Sequence, residues 1–311
     1  MARDSVLIYG SGTMGCGISC SAALAGEKVI LLARDAGKAQ KAIERVKGIL
    51  EDMRDQGLYT EAEVSKAYTL VSTTENLEEV KDRVKIVIEA VYENLPLKQD
   101  IFALLDAALP KEVPILSNTS GLRITDIALK TTHPERTLTT HFWLPGHLIP
   151  LVEVVIGDKS SPELAEKIKT YLTGWGKKPV IVKRDLPGQL ANRIFQAMIR
   201  EAVNIVEIGL ASAEDVDTAI KMGMALRFPV WGPLEHVDAV GFDICESVQN
   251  TVLPEISDRK SASPLFANMR KEGSLGHKTG KGFYDWSQKD MDALLKKRNE
   301  FIIHALKKCY Q

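Results

Sequence analysis

Short apolar runs recur through the first half of the chain, at residues 6–9, 29–32, 68–71, 86–88, 114–116 and 138–141. Segments whose apolar positions repeat at helical spacing separate most of them, at 35–54, 97–108 and 124–129. Runs of this length fit strands buried on both faces, and their alternation with helices predicts a parallel sheet covered on both sides. Two more strands are expected at 151–155 and 179–182, split by a helix at 162–175. After Lys183 to Gly188 the pattern changes. Helical spacing dominates at 189–210, 213–222, 235–251 and 290–307, and only 283–284 still reads as strand. The chain is therefore expected to divide near residue 185 into an α/β domain (1–185) and an all-α domain (186–311).

The first turn is the most specific. Val6-Leu7-Ile8-Tyr9 breaks at Gly10, and Gly10, Gly12 and Gly15 stand at the G-x-G-x-x-G spacing, with Thr13 and Met14 between the last two. A helix rich in small residues follows, then a second apolar run ending at Ala33. Strand, turn, helix and strand in that order make a dinucleotide-binding unit, so the expected fold is a Rossmann-type doubly wound, mostly parallel sheet. Gly10 permits the tight turn, Gly12 lets the backbone approach a pyrophosphate, and Gly15 lets the helix pack close to the strand. The helix N-terminus offers free N–H groups and its positive dipole end to the phosphates.

Composition adds exclusions. The 311 residues suffice for two domains, and 45% hydrophobic and 26% charged residues are ordinary for a globular protein. A net charge of −1 argues against broad binding to nucleic acid or to an anionic membrane. No apolar run reaches the ~18 residues of a membrane-spanning helix. The N-terminus lacks a signal-peptide pattern, so a cytoplasmic location is expected. Cys16, Cys20, Cys245 and Cys309 show no metal-ligand clustering, and no metal is expected.

Ligands of an open parallel sheet sit outside the carboxyl ends of its strands. One run ends there in Ser117-Asn118-Thr119-Ser120 and another in His141. Twelve residues on, Leu151-Val152-Glu153-Val154-Val155 sets a carboxylate among apolar neighbours, and a buried carboxylate needs a partner. A neutral histidine backed by a carboxylate is a general base matched to neutral pH. Alternatives stay open at this point. Ser120 could cap a helix beginning near Arg123, Glu153 could face solvent from an edge strand, and His147 competes with His141 for the same carboxylate.

The chain resembles the 3-hydroxyacyl-CoA dehydrogenase family, including its smaller-substrate branches (L-gulonate 3-dehydrogenase or lambda-crystallin, carnitine dehydrogenase and a pyridoxine-degradation dehydrogenase). The resemblance covers essentially the whole chain. It rests on the glycine fingerprint, Val91-Tyr92-Glu93-Asn94-Leu95-Pro96-Leu97-Lys98, Ser117-Asn118-Thr119-Ser120, and His141 with Ile149-Pro150-Leu151-Val152-Glu153. Further markers are Pro187-Gly188 with Ala191-Asn192-Arg193, Gly232-Pro233-Leu234-Glu235, and Gly276-His277-Lys278-Thr279-Gly280-Lys281-Gly282-Phe283-Tyr284. The resemblance implies that His141 is the general base, that Glu153 orients it, and that Ser120 and Asn192 hydrogen-bond the reacting oxygen. It places Glu93, Lys98 and Lys278 at the cofactor, with Gly10, Gly12, Thr13, Met14 and Gly15 in the dinucleotide turn. It also implies an NAD- or NADP-dependent oxidation of a secondary alcohol and a homodimer formed through the helical part.

Two departures from the family pattern shape the expectations. Three residues after the histidine the family has an Asn-Pro pair, whereas this chain has Leu144-Pro145, and leucine cannot hydrogen-bond a substrate. Trp143 and His147 are candidates to supply that hydrogen bond instead. At the end of the second strand, where NAD enzymes carry an acid for the ribose 2′-hydroxyl, stand Ala33 and Arg34. Arginine suits a 2′-phosphate, and Asp35 reads as the N-cap of the next helix, so NADP is slightly favoured over NAD. Glu51, Asp52, Asp55, Glu61 and Glu63 would repel the phosphates of coenzyme A, which favours a compact hydroxy acid over an acyl-CoA thioester. A short-chain 3-hydroxyacyl-CoA dehydrogenase is the alternative within the class. A catalytically silent dinucleotide-binding sensor or structural protein is the alternative outside it.

Overall fold

A computed structural model describes residues 3–309. Its first part is one sheet built from β1 (Ser5–Tyr9), β2 (Lys28–Leu32), β3 (Val71–Thr74), β4 (Val84–Glu89), β5 (Ile115–Ser117), β6 (Thr137–Phe142), β7 (Leu151–Val155) and β8 (Lys178–Val182). The spatial order is β3-β2-β1-β4-β5-β6-β7-β8. All neighbours are parallel except β6 and β7, which run antiparallel. Alternate residues of the strands feed opposite cores, as strand geometry demands. Val6, Ile8, Val29 and Leu31 pack with Ile18 and Cys20 of α1 (Thr13–Leu24) and Val46 and Leu50 of α2 (Ala36–Asp55). Leu7, Ile30 and Val87 pack on the other face with Phe102 and Leu105 of α4 (Leu95–Ala108) and with Ile124 and Ile127 of α5 (Ile124–Ile127).

Three expected elements differ. Residues 68–71 are not a strand: Tyr68 belongs to α3 (Glu61–Thr69), and the third strand begins at Val71. A capping box at Thr60 and Glu63, with Val64 and Ala67 buried on one face, favours the helix. The expected helix at 235–251 is two, α9 (Pro233–Val240) and α10 (Phe242–Val252), parted at Gly241, whose φ of 103° only glycine adopts without strain. Phe283 and Tyr284 lie between isolated bridges at Gly276–Lys281 and Lys281–Asp285 and form no strand. Asp35 does cap α2, accepting from the Lys38 N–H at 2.8 Å.

Packing divides the chain between Arg193 and Ile194, near the start of α7 (Ala191–Glu207). The first unit also contains α6 (Pro162–Thr173). The second unit is helical, adding α8 (Ala213–Ala219), α11 (Pro264–Lys271) and α12 (Met291–Cys309) to the elements above. Inside it, Arg259 pairs with Glu207 at 2.5 Å and the Tyr284 hydroxyl donates to Asp217 at 2.9 Å. Among the described residues no helix is long and apolar enough to cross a membrane.

Candidate active site

The carboxyl ends of β1, β4, β5 and β6 point the same way, and the sequence places its polar residues there. At the end of β1 the glycines carry out separate steric tasks. A Cβ on Gly10 would lie 2.7 Å from the Ala90 carbonyl, and φ there is +127°. A Cβ on Gly15 would lie 1.9 Å from the Gly10 carbonyl oxygen. Around Gly12 there is open space, and Gly12 caps α1 without any side-chain hydrogen bond. The first-turn N–H groups of α1, including those of Thr13 and Met14, thus meet an approachable backbone, which fits a dinucleotide pyrophosphate. At the tip of β2, Ala33 is buried and the Arg34 side chain is 80% exposed, with its Nε 3.7 Å from Asp35.

His141 and Glu153 sit directly opposite each other in the antiparallel β6–β7 pair. Nδ1 of His141 lies 2.7 Å from Oε2 of Glu153. The same Oε2 accepts from the indole Nε1–H of Trp143 at 3.0 Å. The other oxygen accepts the backbone N–H groups of Leu190 (2.9 Å) and Ala191 (2.8 Å) at the entry to α7. Glu153 is fully buried. Burial alone would push its carboxyl up, but the bonds from His141, Ala191, Trp143 and Leu190 outweigh it and hold the group below the usual carboxylate range. A carboxylate only accepts, so in the neutral imidazole Nδ1 carries the proton and Nε2 keeps a free lone pair. The register decides between the two histidines. His147 belongs to the loop after β6 and lies against α1 at Gly17, where an added Cβ would come 3.4 Å from its Nδ1.

Glu93 holds the loop after β5. Its Oε1 accepts from the Thr119 hydroxyl (2.5 Å) and from the N–H groups of Ser120 (3.1 Å) and Gly121 (2.9 Å). Burial would raise its carboxyl, yet the Thr119 and Gly121 bonds and the Lys98 charge keep it lowered. Lys98 is buried, donates to Oε1 of Glu89 at 2.7 Å, and lies 3.6 Å from Oε2 of Glu93. Oε2 of Glu89 accepts from the Ser117 hydroxyl at 2.7 Å. Lys98 thus anchors two carboxylates below the Ser120 loop. Ser120 itself is exposed, Asn192 is half-buried in the first turn of α7, and Lys278 lies in the second unit, in the turn His277–Thr279.

Three residues that pattern reading passed over complete the frame. Glu89 ends a buried strand, the same signal that singles out Glu153. Gln189 is, among the described residues, the one non-glycine with positive φ (53°), and its Nε2–H donates to the Thr119 carbonyl at 2.9 Å. Strain of that kind is held by surrounding bonds and tends to mark functional segments. Lys177 is buried, donates to the carbonyls of Gly146 (2.7 Å) and Ile149 (3.1 Å), and pins the loop that carries His147.

A dinucleotide turn and a histidine–carboxylate pair on one mostly parallel sheet are the marks of a nicotinamide-dependent dehydrogenase. The description "3-hydroxyacyl-CoA dehydrogenase, NAD binding domain" matches residues 5–186, and the C-terminal domain of the same family matches 188–286. The chain belongs to the 3-hydroxyacyl-CoA dehydrogenase family. Among its relatives is 5-formyl-3-hydroxy-2-methylpyridine 4-carboxylate 5-dehydrogenase of Mesorhizobium japonicum, 32% identical over 96% of each protein. Another is the probable 3-hydroxybutyryl-CoA dehydrogenase of Bacillus subtilis, 36% identical over 93% of this chain and 99% of that one. A crystal structure of a 5-formyl-3-hydroxy-2-methylpyridine 4-carboxylic acid 5-dehydrogenase, described as an NAD+-dependent dismutase, superposes with a TM-score of 0.89 at 28% identity, covering 99% of both chains.

Proposed function

We propose that this protein interconverts a secondary alcohol and its ketone, with His141 as the proton-transfer group. The observation that carries the reading is the Glu153 carboxylate, saturated by four donors and set opposite His141 in register. In the oxidative direction Nε2 of His141 removes the hydroxyl proton. The imidazolium that forms is stabilised by Glu153, whose charge is buried one hydrogen bond away. A bound nicotinamide would supply the hydride acceptor for the alcohol carbon. Ser120 and Asn192 are the donors proposed for the developing carbonyl oxygen, and the Glu93–Lys98–Glu89 chain fixes the loop that bears Ser120. Gly10, Gly12 and Gly15 would hold the pyrophosphate, and Lys278 is proposed as a further cofactor contact.

The finer assignments rest on specific side chains. Arg34, its side chain 80% exposed, can exchange its 3.7 Å pairing with Asp35 for a ribose 2′-phosphate while Asp35 stays engaged as a helix cap, so NADP is slightly favoured over NAD. A compact carboxylate-bearing substrate is favoured over a coenzyme A thioester. Arg54, at the tip of the α2–α3 hairpin, already pairs with Asp55 and Glu61, leaving that hairpin acidic. The agreement in length and shape with the pyridine carboxylate enzyme points the same way. The second unit exposes Val230 (85%), Leu234 (80%) and Phe242 (71%), and a second copy of the chain is the proposed cover. Replacing His141→Gln should lower turnover about a hundredfold or more, on a panel of 3-hydroxy acids and 3-hydroxybutyryl-CoA, while cofactor still binds. Unchanged turnover would overturn the assignment.

A further inference from the structure

Trp143 does something the histidine–carboxylate pair alone does not require. Its indole has a single donor and no acceptor, and that donor is directed at the one Glu153 oxygen that also receives His141. The rings of Trp143 and His141 lie 5.7 Å apart, tilted by 53°. We propose that Trp143 is a positioning residue that fixes the Glu153 carboxylate plane and, through it, the ring orientation and Nδ1–H tautomer of His141. The proposal rests on the reading of His141 as the proton-transfer group.

The physical argument has two parts. A carboxylate offers about four acceptor sites, and with Leu190, Ala191 and His141 alone one site on Oε2 would stay open. The indole N–H fills it, so the carboxylate cannot rotate away from the imidazole. The positive end of the N–H dipole also lies beside the oxygen that faces His141. With that oxygen held in place, the Nδ1–H of His141 keeps a fixed acceptor and Nε2 keeps its lone pair for the substrate proton. Glu153 comes from β7, and the entry to α7 contributes backbone N–H groups. Arg193 of α7 turns to the Pro187 carbonyl at 3.2 Å, and Lys177 lies on the far side, 5.8 Å from the Phe142 ring centre and tied to carbonyls.

The same geometry alters the expectation that Trp143 supplies the substrate hydrogen bond that Leu144 cannot make. Its N–H is engaged with Glu153, so the side chain positions the base and does not grip the substrate.

The test is the ring-nitrogen NMR spectrum of the full chain at alkaline pH, where a neutral imidazole shows which nitrogen holds its proton, with the His141 signals assigned by their loss in His141→Gln. Wild type should hold that proton on Nδ1, and Trp143→Phe should bring in the Nε2–H tautomer and lower kcat about tenfold at an unchanged KM. A variant that keeps the wild-type tautomer and kcat overturns the proposal. If Trp143→Phe does not fold, exchange of the wild-type Trp143 indole N–H with solvent decides instead, and exchange as fast as that of an exposed indole refutes the bond to Glu153. The tautomer readout needs no turnover, so a chain that catalyses nothing would sink the proposed function while the tautomer still decides the role of Trp143.

Discussion

Glu153→Gln is the sharpest perturbation available, because it keeps shape and removes only charge and acceptor capacity. The amide oxygen can retain the bonds from the Leu190 and Ala191 N–H groups on one side. Its nitrogen then faces Nδ1 of His141, 2.7 Å away, and the Trp143 indole N–H, 3.0 Å away. Donor meets donor at Trp143, and His141 can bond the amide only by moving its proton to Nε2. That tautomer has no lone pair where the substrate proton must go. The reverse amide orientation is worse, since it opposes two backbone N–H groups. In the serine-protease triad the same carboxylate-to-amide change behind a histidine costs about 10⁴ in kcat, or about 5 kcal/mol of barrier at 1.36 kcal/mol per tenfold. A fall of about 10³ to 10⁴ is expected here. Stability should drop by about 1–3 kcal/mol for the buried acceptor lost at Glu153 and the donors it opposes. Initial rates of reduced-nicotinamide formation give kcat, a urea melt gives stability, and fluorescence titration checks that the dinucleotide still binds. A folded variant with kcat within about threefold of wild type would refute both the tautomer argument and the role of Glu153.

Two further outcomes follow from single side chains. Burial pushes the Lys177 amine down to about 8 from 10.5. The native state therefore bears a penalty below pH 8 that fades as pH rises to 10.5, because over that window the unfolded chain holds the extra proton. Stability of the wild type should rise by up to about 3 kcal/mol across it, and Lys177→Met should flatten that rise in urea melts at paired pH values; equal slopes would sink the idea. Arg34→Ala should weaken NADP binding by tenfold or more, the size of a charge-assisted phosphate contact of about 1.5–3 kcal/mol, and leave NAD within about twofold. Equal losses for both dinucleotides would show that Arg34 is a solvated surface residue.

The sheet and the phosphate turn were legible because they depend on local rules: buried strands read as apolar runs, and Gly10 and Gly15 stand where a Cβ would strike backbone. What required three dimensions was register. His141 and His147 compete equally on spacing, and only the antiparallel offset of β6 against β7 puts His141 across from Glu153. Lys98 shows the same limit. Its motif marks it for the cofactor, but its charge is drawn inward by Glu89, a carboxylate on a different element that no pattern within 91–98 reveals. Helix α3 was hidden for another reason. Tyr68 and its apolar neighbours imitate a strand, while the Thr60–Glu63 capping box, which was readable, fixes a helix. At Gly241 the helical spacing runs on through the break, so periodicity overstated the helix.

Trp143 and Leu144, which follow His141, act together. Leu144 is 56% exposed and offers no hydrogen bond, and the Trp143 donor is taken by Glu153. Neither residue following the base can hold a polar group of the substrate. In the reaction proposed above, the polar grip on the reacting oxygen would then fall to Ser120, on the loop that Glu93 and Gln189 brace, and to Asn192, on the helix whose entry Glu153 binds. Glu153 is the hinge of that arrangement: through one oxygen it orients the base, and through the other it fixes the start of the helix bearing Asn192. Proton acceptor and oxygen donor are thereby referred to a single buried carboxylate. In that reading a substrate would place its hydroxyl between the two while presenting an apolar edge to Leu144, as a compact hydroxy compound would whose remaining polar group lies on the opposite side of the reacting carbon.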